Sequence, residues 1–157
     1  MINHSRAIVK RQLSRLIAAD TIALIIHGIL GFFFVALNEL WLAGIEPEKV
    51  FVVRIVYDVL VIVGAYFCGR LADKTRKILQ GTSGHPVRKF IAGGVTLSIF
   101  KIPIYITCAL TFQIQWEQIR IAAGLYFLEN MATGWLYLII LDWTRRRFSA
   151  KSRGNNP

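Results

Sequence analysis

The stretch FIAGGVTLSIFKIPIYITCALTF, residues 90–112, decides the fold of this chain. Lys101 carries its only formal charge, and the other side chains are mostly aliphatic or aromatic. An α-helix rises about 1.5 Å per residue, so a helix over this stretch is long enough to cross a hydrocarbon core of about 30 Å. The stretch is therefore predicted to be a transmembrane helix.

Three further apolar stretches have a similar length. The four predicted spans are 16–37, 50–71, 90–112 and 119–141. The chain is 55% hydrophobic with a mean hydropathy of +0.50, and its apolar residues are pooled into blocks rather than arranged in amphipathic patterns. We expect an all-α integral membrane protein, a four-transmembrane-helix bundle of two hairpins, with residues 1–157 forming one membrane domain.

The basic residues predict the orientation of this bundle. Of the 19 Lys and Arg residues, four precede the first span, six lie in or beside the loop at 72–89 and five lie in the tail at 143–157. Cytoplasmic connections carry an excess of Lys and Arg, so both termini and the middle loop are predicted to be cytoplasmic. This placement also accounts for the net charge of +10. We therefore expect contacts with lipids and no binding of nucleic acid.

Several other kinds of site are not expected. Cys68 and Cys108 would lie near opposite membrane faces, too far apart for a disulfide, and His27 reads as a hydrogen-bonded packing residue. The His and Cys residues lack metal-ligand spacing. The sequence also shows no nucleophile–base arrangement and no phosphate-binding loop. We expect no metal, no cofactor and no enzymatic activity.

Charged residues inside the predicted spans are the functional candidates. Each costs roughly 2.5–3.5 kcal/mol to insert, so such residues usually face a bundle interior or a water-filled pathway. The candidates for a substrate or proton pathway are Asp20, Arg54, Asp58, Lys101, Glu129 and Asp142.

The spacing of these residues predicts their partners. Arg54 and Asp58 are four residues apart, on one helix face, where they can neutralise each other. Lys101 and Glu129 share a depth near the midplane and are expected to pair. Asp142 is expected to pair with the basic tail. The alternative is that these pairs only hold the helices together.

Small residues and one proline are expected to shape the bundle. Small side chains let helix backbones approach closely. The candidates for helix packing are Gly28, Gly31, Ala65, Gly69 and Gly134. Pro103 is expected to kink the third span beside Lys101.

Several short motifs resemble one family. They are Ala19-Asp20-Thr21, Phe100-x-x-Pro103-x-Tyr105, Trp116-x-Gln118-Ile119, and Leu141-Asp142 followed by Arg145-Arg146. In order and spacing they are similar to the bacterial L-alanine exporter (AlaE) family over roughly residues 15–148, and Arg54 matches a charged position of its second span.

The resemblance implies a small inner-membrane protein that exports L-alanine, and related small amino acids, using the proton gradient. By position it implies that Asp20, Arg54 and Asp142 are the charged candidates for functional residues. One departure concerns span four, where the family has Gly-xxx-Gly but Gly134 is followed by Leu138. This departure argues against a tight dimer seam in span four, or moves the seam to another face.

Export of a zwitterion needs a cation for its carboxylate and an anion for its ammonium group. Arg54 or Lys101 could supply the first, and Asp20, Asp58 or Glu129 the second. A carboxylate in a low-dielectric cavity could also carry the proton of an antiporter. Four helices enclose little volume, so we expect a homo-oligomer, a dimer or larger.

Two other functions fit the composition. A non-transporting scaffold or anchor subunit would bind a cytoplasmic partner through the basic loop and tail. A small multidrug-type exporter would use one buried carboxylate and aromatic walls, although the buried Arg and Lys residues disfavour cationic drugs.

Overall fold

The computed structural model describes the backbone of residues 2–80 and 86–153, and the side chains of 13–29, 31–32, 35–79 and 87–148. Within these ranges every regular element is helical and no strand is present. The turn-rich residues 81–85 of the predicted middle loop, and the last residues of the predicted tail, lie outside the described residues.

The described residues form five α-helices and one short π-helical segment. They are α1 (Ile2–Leu37), the π segment (Asn38–Leu42), α2 (Pro47–Val63), α3 (Ala65–Gln80), α4 (Pro86–Thr111) and α5 (Trp116–Arg153). Pro47 occupies the first turn of α2, where its missing N–H would have no helical partner in any case. The π segment continues α1 directly, so this helix extends past the predicted end of the first span.

The second predicted span, 50–71, is not one straight helix. It is broken at Gly64 into α2 and α3, which meet at a bend of 64°. Gly64 packs against the ring of Phe100 on α4, and a Cβ there would lie 2.7 Å from the Cζ atom. Glycine thus allows the close contact between the bend and α4.

The predicted loop and tail are also more helical than expected. α3 continues to Gln80 within the loop predicted at 72–89, and α5 continues to Arg153 within the tail predicted at 143–157. Ion pairs between α3 and α5 hold the two helical extensions together.

The close approach of α4 and α5 forms the largest helix–helix contact of the bundle. Gly93 and Gly94 of α4 face Gly134 of α5, and a Cβ on Gly93 or Gly134 would collide with the opposite backbone. Gly134 therefore packs against α4 of the same chain. α1 lies against α5 and, less extensively, against α3 and α2.

The two short connections lie at the same end of the bundle. Gln118 Nε2 donates a hydrogen bond of 2.7 Å to the carbonyl of Gly44, which joins the start of α5 to the α1–α2 connection. At the opposite end, side chains of α1, α3 and α5 meet in ion pairs.

The helices include candidate membrane spans. Among the described residues, Val87–Thr111 and Trp116–Phe148 are long and apolar enough to cross a membrane, and the bent pair α2–α3 is a third candidate. Two to three candidate spans are therefore identified by length and composition. The count of four remains a prediction.

Candidate functional site

A buried salt bridge joins the π segment to α2. Arg54 Nε donates to Glu39 Oε2 at 2.8 Å, and the two side chains are only 6% and 2% exposed. Tyr126 of α5 adds a long hydrogen bond of 3.5 Å to Glu39 Oε1. Glu39 reaches this position because the π segment prolongs α1 beyond the end of the apolar stretch.

Three tyrosines surround this salt bridge. The Arg54 guanidinium lies 5.7 Å from the ring centroid of Tyr57 and 5.2 Å from that of Tyr126, within cation–π range. The Tyr105 ring lies 4.6 Å from the Tyr126 ring. Arg54 Nη2 and the Tyr57 and Tyr105 hydroxyls are buried with no hydrogen-bond partner among the described residues.

The partner predicted for Arg54 was therefore wrong. Asp58 follows four residues later on α2, but the only ion pair of Arg54 in the described part of the chain is with Glu39. Sequence reasoning missed Glu39 because it follows the apolar stretch and reads as part of an outer connection. The glutamate at 46, in the same connection, is exposed, and the sequence gives no signal that separates the two.

Lys101 is held by a histidine rather than by a carboxylate. Its Nζ lies 3.3 Å from His27 Nδ1, and His27 Nε2 lies 3.1 Å from Thr133 Oγ1. With Nδ1 accepting from Lys101, the ring carries its proton on Nε2 and donates it to Thr133. The Thr133 hydroxyl in turn donates to the backbone carbonyl of Glu129 at 2.9 Å.

The predicted Lys101–Glu129 ion pair was also wrong. Within the described residues no Lys101 nitrogen lies within 4.0 Å of a Glu129 oxygen, and Glu129 Oε2 is buried without a hydrogen-bond partner. His27 is hydrogen-bonded, as expected, and packs edge-on against Tyr137 at 5.8 Å. It is thus a structural neighbour of Lys101, which the sequence did not indicate.

A cavity of about 370 Å³ opens between α1 and α2, with Lys101 of α4 in its wall. The two charged residues that line it are Asp58 and Lys101. No ion pair or hydrogen bond occupies the Asp58 carboxylate among the described residues. The remaining wall is almost entirely apolar and consists of Leu24, Ile25, Gly28, Ile29, Phe32, Tyr57, Val61 and Ile62.

A second ion-pair cluster joins α1, α3 and α5. Arg145 Nε donates to Asp20 Oδ1 at 2.7 Å, and Arg145 Nη1 donates to Asp73 Oδ1 at 2.7 Å. The Asp20 side chain is fully buried, and a Cβ on Gly69 of α3 would overlap its carboxylate. Gly69 therefore makes room for the ion pair, in agreement with its predicted packing role.

Asp142 was predicted to pair with the basic tail, and this prediction was wrong. Asp142 accepts a hydrogen bond of 2.6 Å from Arg76 Nη1 of α3, and Arg76 Nη2 donates to the carbonyl of Leu138. The contact at Leu138 is made by its backbone carbonyl and does not depend on its side chain. The Arg76–Asp142 and Arg145–Asp73 ion pairs therefore both connect α3 to α5.

The remaining predicted packing residues have different surroundings. Ala65 is buried, and a Cβ on Gly31 would lie 2.7 Å from Glu129 Oε1, so both occupy tight positions. Gly28 differs from the prediction because a Cβ there would meet nothing within 4 Å. It borders the cavity instead. Pro103 lies inside α4, which continues unbroken to Thr111.

Cys68 and Cys108 are both buried free thiols. The described part of the chain contains no group of three or more His, Cys, Asp or Glu side chains arranged to hold a metal ion.

Comparison with known proteins identifies the family. The family described as AlaE, L-alanine exporter, matches residues 9–151. The chain belongs to the L-alanine exporter (AlaE) family. It is 27% identical to the L-alanine exporter AlaE of Citrobacter koseri over 135 residues, which cover 85% of this chain and 88% of that protein. No solved structure matches the chain.

Other relatives agree with this assignment. The L-alanine exporter AlaE of Salmonella typhimurium is 27% identical over 85% of this chain and 88% of its own length. That of Escherichia coli K12 is 26% identical over 83% of this chain and 85% of its own length. The resemblance in the sequence is thereby confirmed, and the chain is a membrane protein of an amino-acid exporter family.

The Glu39–Arg54 salt bridge gives the first prediction. Glu39→Gln leaves a buried guanidinium without its anion, which costs about 3–5 kcal/mol in the free energy of unfolding. We expect a clearly lower thermal unfolding midpoint in detergent. The control is Glu46→Gln, because Glu46 is 70% exposed in its pair with Lys49 and should change stability little.

Reversal of both charges, Glu39→Arg with Arg54→Glu, should recover part of the lost stability. A Glu39→Gln variant that unfolds at the wild-type temperature would show that the salt bridge does not hold α1 to α2.

Proposed function

We propose that this protein exports L-alanine across the bacterial inner membrane in exchange for protons. Two observations support the proposal: the family match over residues 9–151, and a cavity whose apolar wall carries one acid and one base, Asp58 and Lys101. The cavity carries the proposal, because its charges match those of a zwitterionic amino acid.

The proposed topology has four membrane crossings, made by α1, the bent pair α2–α3, α4 and α5. The N terminus, the middle loop and the C terminus are cytoplasmic, since fifteen of the 19 basic residues lie in or beside these segments. The Asp20–Arg145–Asp73 cluster then lies at the cytoplasmic end, and the Glu39–Arg54 salt bridge lies towards the outside. The cavity lies between them.

In this proposal the alanine carboxylate binds Lys101 and its ammonium group binds Asp58. An α-amino acid carries its ammonium and carboxylate groups on the same carbon atom, so it can bridge an acid and a base that are close but not in contact. Small-molecule sites are usually apolar cavities of about 300–1,000 Å³ with a few fixed polar groups, and this cavity has that character. Its aliphatic wall accepts the alanine methyl group.

Three of the other four charged candidates already have ion-pair partners, and the fourth, Glu129, lies outside the cavity lining. Arg54 is bound to Glu39, Asp20 to Arg145 and Asp142 to Arg76. Separating a buried ion pair costs several kcal/mol, so a weakly bound substrate would not displace the Arg54–Glu39 or the Asp20–Arg145 contact. The Arg76–Asp142 pair is more exposed, and it lies outside the cavity lining. We therefore assign these pairs to holding the helices, and Asp58 and Lys101 to the substrate.

We also propose that the protein works as a homo-oligomer. Apolar residues beside the cavity are exposed in the single chain, among them Ile29 at 64% and Ile62 at 40%. A second copy against α1 and α2 would complete the outer wall of the cavity and shield the substrate from lipid.

The two alternative functions are less well supported. A scaffold would need its tail for partner binding, whereas Arg145 is engaged inside the chain with Asp20 and Asp73. A cationic drug in the cavity would meet the ammonium group of Lys101. Neither alternative explains why an acid and a base line the same apolar cavity.

The direct test is L-alanine flux in proteoliposomes with an imposed proton gradient. Asp58→Asn and Lys101→Met each remove one charged partner of the substrate. Because hydrogen bonds to charged groups contribute roughly 1.5–3 kcal/mol, each variant should lower L-alanine flux at limiting substrate by about tenfold or more.

The matched controls are Glu117→Gln and Arg120→Met, which alter an exposed ion pair at the start of α5. These variants should transport at the wild-type rate. Wild-type rates in both Asp58→Asn and Lys101→Met would remove the proposed substrate site.

The open space at Gly28 gives an independent prediction about cavity volume. Gly28→Leu should fill the cavity without disturbing the helix, since a Cβ there meets nothing within 4 Å. L-alanine flux should fall several-fold while the thermal unfolding midpoint stays close to that of the wild type.

Gly124 is the matched control, because it is also helical, its Cβ would also meet nothing within 4 Å, and it lies outside the cavity. Gly124→Leu should leave flux unchanged. Equal flux in Gly28→Leu and Gly124→Leu would show that alanine does not pass through this cavity.

A further inference from the structure

The carboxylates of the described residues fall into two groups, those that form an ion pair and those that do not. Those of Asp20, Asp73, Glu39 and Asp142 are each bound to an arginine, and those of Glu46 and Glu117 form exposed pairs. Of the rest, Glu48 is exposed at the start of α2, and Asp58 and Glu129 lie within the bundle without an ion pair. These last two are the candidates for reversible proton binding during transport.

Only one of the two borders the cavity. Asp58 lines it beside Lys101. Glu129 lies outside the lining, with Oε1 over Gly31 and Oε2 buried without a partner. A proton on Asp58 therefore occupies the place where a substrate cation would bind, whereas a proton on Glu129 does not.

The sign of the coupling separates the two carboxylates as well. An antiporter must bind its proton and its substrate in turn, so that each lowers the affinity for the other. At Asp58 the substrate ammonium competes directly with the proton. At Glu129 the effect is reversed, because the alanine carboxylate would neutralise Lys101, the nearby cation, and so favour protonation of Glu129.

We propose that Asp58 is the coupling residue, at which a proton and the ammonium group of an α-amino acid exclude each other. This inference rests on the proposed alanine site. Alanine entering from the cytoplasm displaces the Asp58 proton to cytoplasmic water, and its ammonium group takes the place of the proton. After alanine leaves to the outside, Asp58 takes a proton from there. One proton enters for each alanine exported.

The surroundings of Asp58 fit this exchange. The charged and titratable groups that face it are Arg54 and Tyr57 on its own helix and Lys101 on α4. The cavity wall contributed by α1 is apolar, and no residue of α1 that lines the cavity carries a charge. Arg54 is held by Glu39 and Lys101 by His27, so neither closes on the Asp58 carboxylate.

The test is the pH dependence of L-alanine affinity, measured by equilibrium binding of radiolabelled L-alanine to the full chain in detergent. As the pH is lowered, the L-alanine affinity of the wild type should fall by about tenfold per pH unit once protons outcompete the substrate at Asp58. Asp58→Glu keeps a carboxylate and should shift the midpoint of this fall. Glu129→Gln, the matched control, should leave the midpoint unchanged.

Proton release gives a second readout that does not depend on transport. Adding L-alanine to lightly buffered wild-type protein, at a pH where Asp58 is protonated, should acidify the solution, and Glu129→Gln should do the same. Asp58→Asn at saturating L-alanine should release no proton.

Each outcome decides the matter. If the wild type binds L-alanine with no pH dependence, or if the midpoint moves in Glu129→Gln and not in Asp58→Glu, Asp58 is not the coupling residue. If the wild type binds no L-alanine at any pH, the proposed function itself fails.

Discussion

At both ends of the bundle, a charge that leaves water is met by an opposite charge within the chain, and this requirement determines how the helices are joined there. The Glu39–Arg54 salt bridge shows this requirement most clearly. Both side chains are almost fully buried, and Arg54 Nε lies 2.8 Å from Glu39 Oε2. An unpaired buried charge would cost several kcal/mol. The salt bridge therefore fixes the end of α1 against α2, and the tyrosines of α4 and α5 pack around it.

The same requirement acts at the other end of the bundle, where Arg145 binds both Asp20 and Asp73. The ion pairs at this end connect helices distant in sequence, whereas the Glu39–Arg54 salt bridge joins neighbouring elements only 15 residues apart. Between them, Asp58 and Lys101 share a cavity without contacting each other. The ion pairs that join the helices therefore involve other residues than Asp58 and Lys101, the two residues proposed to bind the substrate.

The sequence allowed much of the fold to be predicted. Each apolar stretch lies on helices, and the two unpaired cavity residues, Asp58 and Lys101, were among the candidates. What it did not reveal are the partners. Partner choice depends on how each helix is rotated about its axis and on how far it extends, and the π segment that places Glu39 has no signature in a hydropathy pattern.

The bend at Gly64 was missed for a similar reason. It depends on Phe100, a residue of another helix, fitting against a glycine that is unremarkable in its own stretch. The His27–Lys101 contact likewise joins residues that are 74 positions apart. Local patterns predict elements, whereas these contacts are set by the packing of α1, α2 and α4 together.

The central claim is that the cavity recognises both charges of a zwitterion at once. Its most direct test is displacement of radiolabelled L-alanine from the detergent-solubilised protein by two analogues, L-alaninamide and L-lactate, which each lack one charge. Neither should displace the label at concentrations where unlabelled L-alanine displaces it completely. Displacement by either analogue as strong as that by L-alanine would contradict a site built from Asp58 and Lys101.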